Sequence, residues 1–430
     1  MVPLTSGVAS EFAASSPLIR LLRNCPGQAR ACLEGADTTE RAVTAIRAVT
    51  KLAETTASAP ALDAVTETVR HHDHPAVNEA AVPYLLAASR ADPDTVADHA
   101  AVFGELLETG FPSDHDGAPA VTLGHWEEVN TIIATLGHLV DSRPEAVVPA
   151  AGGLLAWAAG NLGQASVRYQ LMDVLTAAVV PDAPFGGRSV NDPLSVAAVE
   201  PTGHARGLAP HVDHLLHIVD RRSGLRGEWA LLYAIALESP SALAAGVETV
   251  LNRWAHGVGT REWLYATGSL AALAEQDSDA LRPHVPGLLA AAAQALSAVD
   301  RLLSDATYPL SGGEDHTTLR ALWCVPTTLS VVASVARTCP DATDRTFGDA
   351  ALRQRVRDLG AELWVAVPTL VEAAAEAPPA GAVVVLELLA AVAAASGAFV
   401  VHHTETLRAI RAEADDERVR AATTAVLQAV

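Results

Sequence analysis

The chain has 430 residues, 29 Lys+Arg against 50 Asp+Glu, a formal net charge of -21, 50% apolar residues and four cysteines. It is too apolar for disorder, too acidic for a phosphate-backbone binder, which needs clustered Lys and Arg, and too poor in cysteine for a disulfide scaffold. All but one of its basic residues are arginine, the exception being Lys51.

The opening MVPLTSGVASEFAASSPLIRLL lacks a basic n-region and an uninterrupted apolar core, so no secretory signal is expected and a cytoplasmic location is. From there Ala-, Leu- and Val-rich segments predict helices over 39–57, 61–71, 76–90, 94–109, 125–141, 144–160 and 166–180. After a break they resume over 208–221, 226–238, 241–255, 260–275, 279–304, 317–338, 350–376, 380–396, 401–413 and 417–429. Asp94, Ser142, Ser239, Asp279 and Asp416 stand at or just before helix starts as candidate caps. Three segments lack the pattern, 111–124, 181–207 and 305–316, and the middle one is rich in Pro and Gly. The run 381–401 is long enough to cross a bilayer, but Glu387, Gly397 and its many alanines favour a helix buried in protein. No convincing strand pattern is present, so the fold class expected is all-α, with essentially no β-sheet.

Helices joined by short turns at this spacing pair into hairpins of about 35–45 residues. Several second helices share a pattern: Val77-Asn78 with Ala81 and Leu85, Val167-Arg168 with Leu171 and Leu175, Leu225-Arg226 with Trp229 and Tyr233, Val419-Arg420 with Thr423 and Leu427. The apolar positions make one stripe, with the polar residue beside it at the packing rim. The segments DHPAVNEAAVPYLL (73–86) and DDERVRAATTAVL (415–427) carry an acid four residues before the valine. This resembles the second helix of a HEAT-repeat unit, although the first has Asn78 at the Arg position and the second lacks the Pro and the Ala. The resemblance implies a right-handed α-solenoid of stacked antiparallel hairpins, with armadillo or another solenoid subtype left open. N-terminal repeats over 1–180, a loop over 181–207 and C-terminal repeats over 208–430 would form one continuous stack. One hairpin cannot bury its apolar stripe alone, and small alanines let neighbours approach closely.

Catalytic motifs are sparse. There is no Walker-type or strand-linked Gly-rich phosphate loop, no GxSxG and no HExxH, and SGGED (311–315) reads as a turn. HHDH (71–74) reads as an inter-helix turn, with Asp73 expected to cap the helix after Pro75. In PHVDHLLHIVD (210–220), His211, Asp213, His214 and His217 make overlapping three- and four-residue spacings, weak candidates for a metal, with His204 as a further ligand from the loop. Cys25, Cys32, Cys324 and Cys339 form no CxxC and read as inert thiols. No cofactor is expected.

Five tryptophans fall in the middle third: Trp126, Trp157, Trp229, Trp254 and Trp263. Three of them stand beside acids at second-helix starts. The resemblance places second helices along a concave inner face. It therefore gathers Trp126, Glu127, Glu128, Arg168, Tyr169, Arg226, Glu228, Arg261, Glu262, Trp263 and Tyr265 as a partner-binding surface. The function expected is a non-catalytic scaffold that binds a protein or peptide, apolar and basic in character, and neither nucleic acid nor membrane. The alternative is an enzyme on the same scaffold, either metal-dependent through His211, His214 and His217 or resembling the HEAT-like DNA glycosylases.

Overall fold

The computed structural model describes residues 27–110, 123–180, 202–221, 226–257, 261–305, 328–346, 354–356, 366–395 and 397–430. Among these residues there are helices, turns and no strand. The chain divides into two compact units, Met1–Ala183 with Thr202–Ile218, and Pro184–Pro201 with Val219–Val430.

In the first unit the longer helices are α1 (Gln28–Glu34), α2 (Thr39–Thr56), α3 (Leu62–His72), α4 (Pro75–Ala91), α5 (Ala101–Gly110), α6 (Leu123–Ser142), α7 (Ala151–Gly160) and α8 (Ala165–Val179), and α9 (Val212–Arg221) begins in it. They sort into two layers. The second helices pack in succession, α2 on α4, α4 on α6 and α6 on α8, while α1 packs on α3 and α5 on α7 in the other layer. α3 and α5 are tied by a two-pronged ion pair, Arg70 Nε and Nη2 donating at 2.8 Å to the two oxygens of Glu105. Both side chains are nearly half exposed, so Arg70→Ala is expected to cost less than about 1 kcal/mol, and less again in 1 M salt. Urea denaturation at the two salt concentrations reads this directly.

The second unit holds α10 (Arg226–Glu238), α11 (Val247–His256), α12 (Arg261–Gln276), α13 (Val285–Asp305), α14 (328–338), α15 (Pro340–Thr346), α16 (Val367–Glu376), α17 (Pro379–Ala395), α18 (Thr404–Glu413) and α19 (Glu417–Ala429). Here too α10 packs on α12 and α17 on α19 in one layer, with α11 on α13 and α16 on α18 in the other. Arg337 on α14 reaches Glu376 at 2.8 Å and Glu275 on α12 at 3.6 Å. Each unit is thus all-α among the described residues, as expected, with its helices packed in two layers.

One regularity was not read from the sequence. Most first helices are preceded by a separate short helical segment: Pro93–Ala97, Pro144–Ala150, Ala209–His211, Pro240–Gly246, Arg282–His284 and Val401–His403. The predicted single helices over 94–109, 144–160, 208–221, 241–255, 279–304 and 401–413 are therefore each broken near their start. Five of the six open on a proline, with Pro93, Pro144, Pro210, Pro240 and Pro283 within the first two positions. A proline is welcome in a first turn, where its missing N–H is not needed, and it favours a tight opening turn over a long straight helix. The repeat unit thus has three helical pieces, as some α-solenoid units do.

Capping partly follows expectation. Asp416 accepts from Arg418 N at 2.7 Å, but Asp92 and Asp277, not Asp94 and Asp279, accept the N–H groups of their helices. At the HHDH turn the roles shift by one. Asp73 sits at φ 39 and closes α3 through its own N–H to Val69 O, and His74 Nδ1 accepts from Ala76 N at 3.2 Å as the cap of α4.

Small residues set the spacing within each unit. A Cβ on Gly153 of α7 would lie 2.2 Å from Gly104 O of α5, and one on Gly381 of α17 would lie 1.9 Å from Ala336 O of α14. Expected loop residues 111–122, 181–201 and 306–316 lie outside the described residues, as do Trp323, Cys25 and Cys324. Thr202, from the end of the 181–207 segment, donates through its N–H and hydroxyl to Val179 O, and Ala205 and Leu208 beyond it are buried in the first unit.

Candidate functional site

The expected binding residues divide by unit, and within each unit burial separates them. In the first unit, Glu127 is exposed on α6 and Glu128 is half-buried beside it. Glu128 Oε2 is enclosed without a hydrogen-bond partner among the described residues. Trp126 lies on α6, but its side chain is outside the described residues. On α8, Arg168 is only 2% exposed and Tyr169 is 42% exposed. The Arg168 guanidinium donates to Leu162 O at 2.7 Å and its carbon lies 5.4 Å from the Tyr169 ring centroid.

That arginine contact recurs. Arg420, at the same place in the Val-Arg pair of α19, donates to Ala414 O at 2.9 Å, again six residues earlier. In both cases a fourth-position arginine reaches back to a carbonyl in the turn between the paired helices. The Val-Arg signature therefore encodes a turn clamp, and Arg168 is corrected from a partner-facing residue to a buried support beneath Tyr169. A carbonyl just past the end of a helix has no helical N–H to receive, so an arginine donor satisfies it.

In the second unit the correction is broader. Glu228 is 0%, Glu262 7%, Trp263 0% and Tyr265 4% exposed. All four are packed inside and not at the surface, while the side chains of Arg226 and Arg261 lie outside the described residues. Trp254 and Trp263 stack with centroids 6.3 Å apart and planes 17° apart. Trp254 Nε1 donates to Thr267 Oγ1, Thr267 donates to Trp263 O, and Trp263 Nε1 donates to Trp254 O, at 3.0, 2.7 and 2.7 Å. Large rings whose polar tips are satisfied internally belong to a core. Tyr265 lies 6.2 Å from Tyr233, whose hydroxyl is held above its usual range by burial and then by Glu275. Sequence periodicity found these aromatics but could not tell the core side of the stripe from its rim.

His211, Asp213, His214 and His217 all lie within the described residues. Among the described residues no group of three or more His, Cys, Asp and Glu side chains is placed to hold an ion. The His211 ring packs on Gly152 of α7, where a Cβ would meet it at 2.7 Å. His214 is partly buried, and its pKa is lowered first by that burial and then by neighbouring His211. Cys339 is buried, donates to Ser278 O at 3.2 Å, and its thiol pKa is raised by desolvation, which suits an inert thiol. No helix among the described residues is long and apolar enough to cross a membrane, and Pro379–Ala395 lies instead with much of its length buried.

No protein-family model matches the chain, and no curated protein matches it. Among solved structures it is similar to one that describes a phosphorylation switch controlling the interaction between cadherin and beta-catenin. Identity is 13% and the TM-score 0.34, over 98% of this chain and 93% of that one. It is also similar to importin beta, at 12% identity and a TM-score of 0.30, over 96% of this chain and 53% of that one. The chain spans about half the length of that importin beta chain.

Proposed function

We propose that this protein is a non-catalytic interaction scaffold that binds a protein or peptide along its layer of second helices. The observation that carries the reading is Tyr169, an aromatic ring left 42% exposed in a fold that buries Trp157, Trp229, Trp254 and Trp263. The ring is positioned from below by Arg168, which is itself fixed to Leu162 O. A rigid, amphipathic aromatic on a braced backbone is the commonest kind of binding hot spot. Glu127, exposed on the adjacent helix of the same layer, adds a negative group. Together with the overall acidity they favour a partner with apolar and basic side chains. Trp126 and Glu128 on α6 belong to the same proposed surface of the first unit, and Arg226 and Arg261 are proposed as partner contacts of the second unit taken by itself, on helices held by the buried Glu228, Glu262, Trp263 and Tyr265.

Selection of binders from a displayed random-peptide library tests this. Peptides enriched on the wild-type protein are expected to contain Arg or Lys beside apolar residues, and to bind Tyr169→Ala at least about tenfold more weakly, with Tyr169→Phe close to wild type. Equal affinity for wild type and Tyr169→Ala, with unchanged circular dichroism, would remove Tyr169 from the interface.

A further inference from the structure

Asp173 and Thr176 follow Tyr169 on α8 at spacings of four and three residues, which sets all three on one face of the helix. Exposure falls along that face: Tyr169 and Asp173 are exposed, and Thr176 is 0% exposed. The Asp173 carboxyl is held above its usual range, with burial as the sole cause. Its surface is open, yet protein beside it strips part of its hydration, and no cation among the described residues offsets that cost. Arg168, the nearest arginine in sequence, donates instead to Leu162 O. The Thr176 hydroxyl is enclosed with no hydrogen-bond partner among the described residues. Thr50, Thr68, Thr267 and Thr423, also buried, each donate to the carbonyl four residues back at 2.6–2.8 Å. An uncompensated carboxylate and an unmet hydroxyl on one helix face both favour an incoming donor. We propose that Tyr169, Asp173 and Thr176 form a receptor for one cationic side chain of the partner, a lysine or arginine whose stem lies along the Tyr169 ring and whose charged head donates to the Asp173 carboxylate and to Thr176 Oγ1. This rests on the reading of Tyr169 as a partner contact and adds which partner group the face selects. Charge complementarity fixes that choice, since an acidic or purely apolar side chain would leave Asp173 more desolvated and still unpaired.

A chain of net charge -21 attracts any basic peptide weakly, so the test must separate one carboxylate from the field of the whole protein. The probe is the tightest-binding peptide from the library selection, remade with each lysine replaced in turn by Nε-acetyl-lysine and each arginine by citrulline. Each peptide is titrated against wild type, Asp173→Asn and Glu405→Gln, the last an exposed acid on α18 whose loss changes the net charge equally. Neutralising one particular cation is expected to weaken binding at least about tenfold in wild type and in Glu405→Gln, but less than about twofold in Asp173→Asn. Thr176→Val is expected to weaken the unmodified peptide by a smaller factor, about threefold. Asp173→Asn is expected to melt no lower than wild type, because the carboxylate it removes has no partner to lose. A cation whose neutralisation costs the same in Asp173→Asn as in wild type overturns the proposal, as does a peptide that binds without any cation. If binding is lost in Tyr169→Ala while Asp173→Asn shows no such coupling, the scaffold reading stands and the receptor alone falls. If no peptide is enriched, both fall.

Discussion

Gly153→Leu is expected to destabilise the first unit by about 3 kcal/mol or more, and Gly153→Ala by about 2. The reason is where the new carbon must go. A Cβ on Gly153 would sit 2.2 Å from Gly104 O, 2.5 Å from Gly104 C and 2.6 Å from Gly104 Cα. These are backbone atoms of α5, which cannot rotate aside as a side chain would. Relief requires α5 and α7 to separate, and Gly104 already lies where its own Cβ would meet Ala150 O at 2.8 Å. The contact is thus tight from both helices. Gly137→Ala supplies the contrast. Gly137 sits within α6 with nothing within 4 Å of a built Cβ, so alanine there is expected to stabilise by about 0.5–1 kcal/mol through helix propensity. Urea denaturation followed by far-ultraviolet circular dichroism measures both. Midpoints that move in the same direction for Gly153→Ala and Gly137→Ala would rule out a backbone-to-backbone crossing at Gly104 and Gly153.

This pair of glycines also shows what kind of information the sequence holds. The helices themselves were legible because their apolar spacing is local: 226–238 and 417–429 match Arg226–Glu238 and Glu417–Ala429 end to end. The short opening segments were not, since a proline at Pro144 or Pro240 is equally acceptable at the start of a long helix; only packing against the neighbouring second helices selects the break. The Val-Arg pattern was read correctly as a repeat signature and incorrectly as a rim position at Arg168. Asn78 and Arg168 are 1% and 2% exposed, whereas Arg420 at the chain's last helix is exposed. The same local motif is covered at two positions and open at a third, because burial depends on which elements pack over it and not on the motif itself. Likewise the acids beside tryptophan at Glu228 and Glu262 suggested a charged groove. Their burial is a tertiary fact, and a test by charge reversal there would disrupt the core before it reported on a partner. Tyr169 was in the expected set for its place on a second helix, but nothing in one sequence distinguishes it from Tyr265.

Trp254→Ala is expected to destabilise the second unit by about 3–5 kcal/mol, the cost of emptying a fully buried aromatic site. The argument for its size rests on what else fails with it. The indole is one face of the stack with Trp263, and its Nε1 is the donor that Thr267 Oγ1 receives while donating onward to Trp263 O. The return bond from Trp263 Nε1 to Trp254 O closes the circuit across the α11–α12 turn. Thr267→Val isolates the polar part. It keeps the shape, removes the hydroxyl, and leaves a buried indole N–H without its acceptor, for an expected loss of about 1–3 kcal/mol. If packing alone held the pair, Thr267→Val would be nearly neutral, and a loss below about 0.5 kcal/mol would refute the circuit. The comparison with Tyr169→Ala then carries functional weight. An exposed ring can be removed with little loss of stability, so a binding defect in Tyr169→Ala reports contact, whereas a binding defect in Trp254→Ala reports a collapsed support. Thermal melts beside the binding assays separate the two. A Tyr169→Ala protein that melts as low as Trp254→Ala would place Tyr169 among the structural aromatics.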